Sequence, residues 1–232
     1  MPEPESLYAS ELLRWPEAMS NLAEKQAVAD HAAQRVQSGQ VIGIGSGSTT
    51  YLVLWAIGKR VQAEALSISV TTSSYETATA ARTLGLSVLP LGSVEPDWGV
   101  DGADEVDPQN RLIKGRGGAL FREKILWSTA RSMYLAVDPS KYVQRLGEKF
   151  PVPIEVDPMA LSLLSRELER HRAHDCQVRL DSANHTAVLT ESGNIILDAR
   201  FDEIPVGLAA ELKGIPGVIE TGLFEGFTFE VL

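Results

Sequence analysis

The sequence predicts an α/β protein: a Rossmann-like, mostly parallel sheet with helices on both faces, followed by a smaller ferredoxin-like α+β lobe. Three observations predict it. Short apolar runs alternate with helical patterns from about residue 21 to residue 137, the rhythm of a parallel sheet with crossover helices. The rhythm changes at Phe150-Pro151-Val152-Pro153, after which the elements run β-α-β-β-α-β. The residues able to do chemistry fall in loops that follow strands, where open α/β sheets bind ligands.

Each element has its local reason. Residues 1–20 are rich in Pro and Glu and form an N-terminal extension. A helix starts at Asn21, where Asn21 and Glu24 have capping-box spacing, and stops at Gly39. Val41-Ile42-Gly43-Ile44 is a buried strand, GSGSTT is its turn, and a helix over 51–57 ends at Gly58. Strand 67–71, helix 75–84, strand 86–89 and strand 98–101 follow. Helix 120–131 and strand 133–137 complete the series. The second lobe reads strand 152–156, helix 159–170, strand 177–180, strand 195–199, helix 206–213 and strand 218–221. The apolar residues of 223–232 return to the first domain. The expected division is therefore a large domain over 21–149 completed by 222–232, and a lobe over 150–221.

Composition narrows the function classes. Hydrophobic residues make up 44% and charged residues 22%, which supports a packed core. There are 21 basic against 31 acidic residues, a net charge of -10. That balance argues against nucleic-acid binding, so an anionic ligand needs a local cluster of donors. Cys176 is the single cysteine, which excludes an intrachain disulfide. No apolar run is long enough to cross a bilayer, and the acidic N-terminus lacks the apolar core of a secretory signal. The expectation is a cytoplasmic protein with no membrane partner.

The densest chemistry lies in DGADEVDPQNRLIKGRGGALFREK, residues 101–124. Asp101 and Asp104 flank Gly102 and Ala103. Lys114 precedes the turn Gly115-Arg116-Gly117-Gly118, and Glu123 falls in the first turns of the next helix. A core has no use for this set, because buried carboxylates and ammonium groups are costly unless paired. A site that moves protons beside an anion needs it. Each residue alone has a plainer role: Asp as turn former, Glu123 as a first-turn glutamate on the helix dipole. Glu105 and Asp107 bring a calcium loop to mind, but EF-hand spacing and the distal glutamate are absent. Ser46, Gly47, Ser48 and Thr49 join a strand to a helix, and glycines there let backbone N–H groups approach an anion. The same residues also read as a turn and an N-cap. The hydroxyl-rich 71–74 loop reads equally as helix cap or ligand contact. HRAHDC, with His171, His174 and Cys176, lacks the partner ligands of a structural zinc site and reads as a helix end followed by a turn. No metal site is expected.

Together these segments resemble type A ribose-5-phosphate isomerase. VIGIGSGSTT, DGADEVD, IKGRGGALFREKI, VDPSKYVQRLG, FPVPIEV, GNIILD and IPGVIETGLF occur in the family's order over residues 22 to 224. The resemblance implies an aldose–ketose isomerase of the non-oxidative pentose phosphate pathway, acting on a small sugar phosphate without a cofactor. Glu123 matches the general base, Asp101 and Asp104 the carboxylates lining the sugar, and Lys114 the lysine beside the reacting oxygens. Ser46, Gly47, Ser48 and Thr49 match the phosphate-side loop. Lys141 and Lys25 match further ligand-contacting lysines. Gly102, Ala103, Gly115, Arg116 and Gly117 belong to the matched substrate loops. Ser46 stands where many members have threonine, and Arg116 where many have glycine. A homodimer or homotetramer is implied in the same way.

The implied reaction interconverts ribose 5-phosphate and ribulose 5-phosphate through an enediolate. A carboxylate can serve adjacent carbons because its two oxygens are alternative proton acceptors. With an ordinary pKa of about 4.3, a glutamate starts ionised at neutral pH but is a weak base for a carbon acid. Lys114 and loop N–H groups must therefore stabilise the oxyanion. The roles of Asp101 and Asp104, in ring opening and in moving the oxygen-bound proton, stay open between them. Three other classes are weighed against this. A sugar-phosphate sensor needs a DNA-binding segment, for which residues 1–20 are too short and acidic. A nicotinamide dehydrogenase needs an acidic residue after the second strand, where Thr71-Thr72-Ser73 stands. A CoA transferase with Glu123 as nucleophile leaves the DGAD loop unexplained.

Overall fold

The structure, a computed structural model, describes residues 21–232; the expected extension over 1–20 lies outside the described residues. The chain forms two compact units, the first comprising 21–102 with Ser128–Asp138 and Phe229–Leu232, the second Ala103–Trp127 with Pro139–Thr228. This cut differs from the sequence-based division, since 103–127, 139–149 and 222–228 group with the second unit.

The first unit holds strands β1 (Val41–Ile44), β2 (Ser69–Thr72), β3 (Ser87–Leu89), β4 (Trp98–Asp101), β7 (Met133–Leu135) and β13 (Glu230–Val231). They form one sheet in the order β13-β7-β4-β1-β2-β3. Every pairing is parallel. The strands are apolar runs because both faces of such a sheet are covered. Ile42, Ile44, Val70 and Val100 are fully buried with Val53, Leu54 and Ile57 of helix α2 (Ser48–Glu64). Ala29 and Ala32 of α1 (Leu22–Ala33) and Ala80 and Ala81 of α3 (Tyr75–Thr83) complete this core.

Two readings of the first unit are corrected. Asn21 does precede α1, but its backbone is left-handed (φ 55°) and its side chain makes no cap. A capping side chain needs extended backbone at that position, so the capping box does not form. Helix α2 runs through Gly58 to Glu64 instead of stopping. A Cβ at Gly58 would lie 3.1 Å from Leu84 Cδ1, so this glycine serves close packing rather than termination. The helix ends at Ala65, which takes the left-handed turn itself (φ 51°).

The second unit holds β5 (Glu105–Val106), β6 (Leu112–Ile113), α4 (Leu120–Thr129, up to Trp127 in this unit), β8 (Val152–Val156), α5 (Leu161–Arg170), β9 (Ala173–Val178), β10 (Ile195–Phe201), α6 (Leu208–Lys213), β11 (Val218–Thr221) and β12 (Leu223–Phe224). The order β11-β8-β10-β9, with all pairings antiparallel, is the ferredoxin-like arrangement expected for this lobe. Its core joins Val152, Ile154 and Val156 to Leu164 and Leu168 of α5 and Leu208 and Leu212 of α6. A three-stranded sheet, β12-β6-β5, was not foreseen. Strands of two residues carry no periodicity to read. HRAHDC begins as expected, with the helix ending at His171 and Arg172 making a left-handed turn (φ 57°), but its remainder is corrected: Ala173–Val178 is an edge strand. Most of its residues are exposed, so it lacks the apolar alternation that marks a half-buried strand. The tail splits, Leu223–Phe224 pairing with β6 and Glu230–Val231 with β7.

Candidate active site

In the first unit, three strand ends meet. Gly45 N–H donates to Val100 O (2.9 Å), Ser73 N–H to Ile44 O (3.0 Å), and Thr77 Oγ1 to Gly45 O (3.2 Å). Asp101, fully buried, closes β4 and accepts Gly102 N–H on Oδ1 at 2.8 Å. A Cβ at Gly45 would lie 2.0 Å from that Oδ1, so the carboxylate occupies the space that only glycine leaves. Gly47 (φ 97°) turns the loop into α2, whose first residue is Ser48. Lys25, 7% exposed on α1, donates from Nζ to Ser48 Oγ at 3.2 Å. A buried ammonium thus stands beside a hydroxyl-bearing helix start, a favourable setting for a phosphate. The 71–74 loop has a plainer role, since Ser74 caps α3 by accepting Thr77 N–H.

In the second unit, Lys114 (3% exposed) and Glu123 (4%) are buried together. Lys114 Nζ is 3.3 Å from Glu123 Oε2. The backbone sets both positions. Lys114 N–H is tied to Gly222 O (2.9 Å), and Glu123 N–H to Ala119 O (2.8 Å) in the first turn of α4. The turn between them uses Gly115 (φ 102°) and Gly118 (φ 82°), and its Arg116 N–H donates to Asp104 Oδ2 at 3.0 Å. Lys114 Nζ also lies 5.5 Å from the Phe224 ring centroid, a cation–π distance. A carboxylate and an ammonium held side by side out of water are equipped for proton abstraction next to a developing oxyanion.

The model of the ribose 5-phosphate isomerase A (phosphoriboisomerase A) family matches residues 69–232. Ribose-5-phosphate isomerase A of Thermosynechococcus vestitus is 44% identical over 204 residues, 86% of each chain. The solved ribose 5-phosphate isomerase A of Methanocaldococcus jannaschii is 36% identical and superposes with a TM-score of 0.87, covering 92% of this chain and 95% of its own. A solved D-ribose-5-phosphate isomerase in complex with phospho-erythronic acid is 37% identical, with a TM-score of 0.85 over 90% of this chain and 93% of its own. The chain belongs to the ribose 5-phosphate isomerase A family.

Two acidic residues of the DGADEVD segment, Glu105 and Asp107, have structural partners. Glu105, fully buried, accepts the N–H groups of Gly147 (2.7 Å), Lys149 (2.6 Å) and Phe150 (2.7 Å). Asp107 accepts those of Gln109 and Arg111 and pairs with the Arg111 guanidinium at 2.8 Å. Both are consumed by structure, which explains their presence without calcium chemistry. Lys141 ends the turn Pro139–Lys141 and is half-buried. Lys149 Nζ braces that turn through Ser140 O and Tyr142 O. Among the described residues no three His, Cys, Asp or Glu side chains cluster to hold a metal ion.

Sequence reasoning missed Arg179. Its Nη1 donates to Gly115 O (2.7 Å) and Arg116 O (2.9 Å), 64 and 63 residues away along the chain. No motif signals such a contact, because it depends on how an edge strand lies over a loop. Lys124 was likewise passed over. It donates to Glu220 Oε1, Thr221 O and Leu223 O at 2.8–2.9 Å, tying α4 to β11 and β12.

Proposed function

We propose that this chain interconverts D-ribose 5-phosphate and D-ribulose 5-phosphate, with Glu123 as the general base. The buried Lys114–Glu123 pair is the observation that carries the reading. Glu123 removes the proton from carbon 2 of the open-chain aldose and returns it to carbon 1, while a second proton passes between the two oxygens. Lys114 offsets the charge that develops on the enediolate oxygen. Asp101 and Asp104 bind the sugar hydroxyls and serve ring opening and the oxygen-to-oxygen proton transfer. Gly102, Ala103, Gly115, Arg116 and Gly117 line the sugar with backbone groups. Ser46, Gly47, Ser48 and Thr49, with Lys25 and Lys141, hold the phosphate. The phosphate does no chemistry; its binding energy positions the reacting carbons.

Family membership supports this substrate. So does the relative solved in complex with phospho-erythronic acid, a phosphorylated sugar acid. The family resemblance also supports a homodimer or homotetramer, to be checked by light scattering. A cytoplasmic location is consistent with the absence, among the described residues, of a helix long and apolar enough to cross a membrane. The deciding experiment incubates purified protein with ribose 5-phosphate, without added metal or nicotinamide, and follows ketose formation. Absence of ketose overturns the proposal.

A further inference from the structure

Lys114 opens a loop whose glycines, Gly115, Gly117 and Gly118, give it more conformational freedom than any other residue type would. A catalytic ammonium on such a loop needs an external brace. The N–H side is held by Asp104 and Gly222. On the carbonyl side, Gly115 O accepts Gly118 N–H inside the turn (3.0 Å), and Arg179 Nη1 reaches in from outside it to bond Gly115 O and Arg116 O together. The rest of that guanidinium is engaged by Asp198, Nε to Oδ2 at 2.8 Å and Nη2 to Oδ1 at 2.5 Å. Asp198 belongs to β10, where its neighbours Leu197 and Ala199 point into the core of the unit. The fork therefore runs from a rigid central strand to the loop. Arg179 is 17% exposed and Asp198 19%, so water competes weakly for these bonds. A carboxylate-bound arginine loses little further rotamer freedom when it binds the two carbonyls. Arg122 of α4 adds a second tie, pairing with Glu191 on the β9–β10 connection.

We infer that Arg179, oriented by Asp198, is a positioning residue that holds the loop so that Lys114 stays beside Glu123. The inference rests on the proposed roles of Lys114 and Glu123. It differs from a purely structural role in what it perturbs. Releasing the loop displaces Lys114 when the enediolate forms, while phosphate binding through the 46–49 loop is untouched.

The test is steady-state kinetics on Arg179→Ala, with Glu123→Gln measured alongside. The expected result is a kcat lower by about 10- to 100-fold, the scale set by a misplacement near 1 Å, with KM changed much less. Arg179 and Asp198 border an open cleft of about 430 Å3. Guanidinium at millimolar concentration can enter it, and should restore part of the lost kcat where sodium chloride at equal ionic strength does not. Wild-type kcat in Arg179→Ala, a change confined to KM, or equal responses to the two salts would overturn the inference. Should Arg179→Ala fail to fold, Arg179→Lys replaces it. Lysine keeps the charge but not the fork, so kcat must again fall with KM retained, and unchanged kcat overturns the inference. An active Glu123→Gln overturns the base assignment and this inference with it. An inactive Glu123→Gln beside an unimpaired Arg179→Ala overturns this inference alone.

Discussion

Lys114 Nζ lies 3.3 Å from Glu123 Oε2, with both side chains at most 5% exposed. Removing two charges from water costs several kcal/mol each, and their attraction repays this only in good geometry. A protein seeking stability alone would fill this space with apolar side chains. Keeping the pair is what the proposed chemistry requires.

Glu123→Gln keeps the shape and a hydrogen-bonding carbonyl but cannot accept a proton from carbon. Turnover should fall by about 10²- to 10⁴-fold, the usual worth of a positioned base. Ribose 5-phosphate affinity, measured by calorimetry, should stay near that of the unaltered protein. Turnover at the normal rate would remove Glu123 from the mechanism.

Lys114→Met leaves the Glu123 carboxylate buried without the ammonium beside it. The expected cost is about 3–5 kcal/mol in urea unfolding. Adding Glu123→Gln to Lys114→Met should recover much of that stability and none of the activity. Additive losses in the double variant would show that the two groups do not interact.

Gly45→Ala places a methyl group 2.0 Å from Asp101 Oδ1. The carboxylate or the 45–49 loop must shift, at a cost of about 1–3 kcal/mol for overpacking. Loss of turnover larger than the loss of folded protein, read by comparing activity with circular dichroism, is the expected outcome. An unaffected kcat would mean that the position of Asp101 is immaterial.

Lys141→Ala should weaken substrate binding more than it slows the bound substrate, because a phosphate contact contributes alike to ground and transition states. KM rises and kcat holds. The reverse pattern would assign Lys141 to the chemistry.

Lys124→Met should destabilise the second unit, since it strands Glu220 and two carbonyls that the ammonium now satisfies. Burial lowers the Lys124 pKa below 10.5, more than Glu220 beside it raises it. The unfolded chain then binds more protons than the folded one just below pH 10.5, so this group's contribution to stability grows as pH rises through that window and is lost as pH falls through the folded pKa. The stability difference between wild type and Lys124→Met should therefore widen as pH rises toward 10.5. A difference independent of pH would contradict it.

Much of this protein was decided by its sequence alone. Strands Val41–Ile44, Trp98–Asp101, Val152–Val156 and Val218–Thr221 fall where they were expected, because an apolar run bounded by turn residues has one economical conformation. The segment from Asp101 to Glu123 pointed, by residue type and spacing, to the chemistry proposed above. Tertiary structure decided the rest. It consumed Glu105 and Asp107 in backbone turns, carried α2 through Gly58 because Leu84 packs there, and made an edge strand of Ala173–Val178. It also brought Arg179 to the glycine loop across more than sixty residues. The physical reason is range: propensity and periodicity act over a few neighbours, whereas a buried charge finds its partner wherever the fold delivers one.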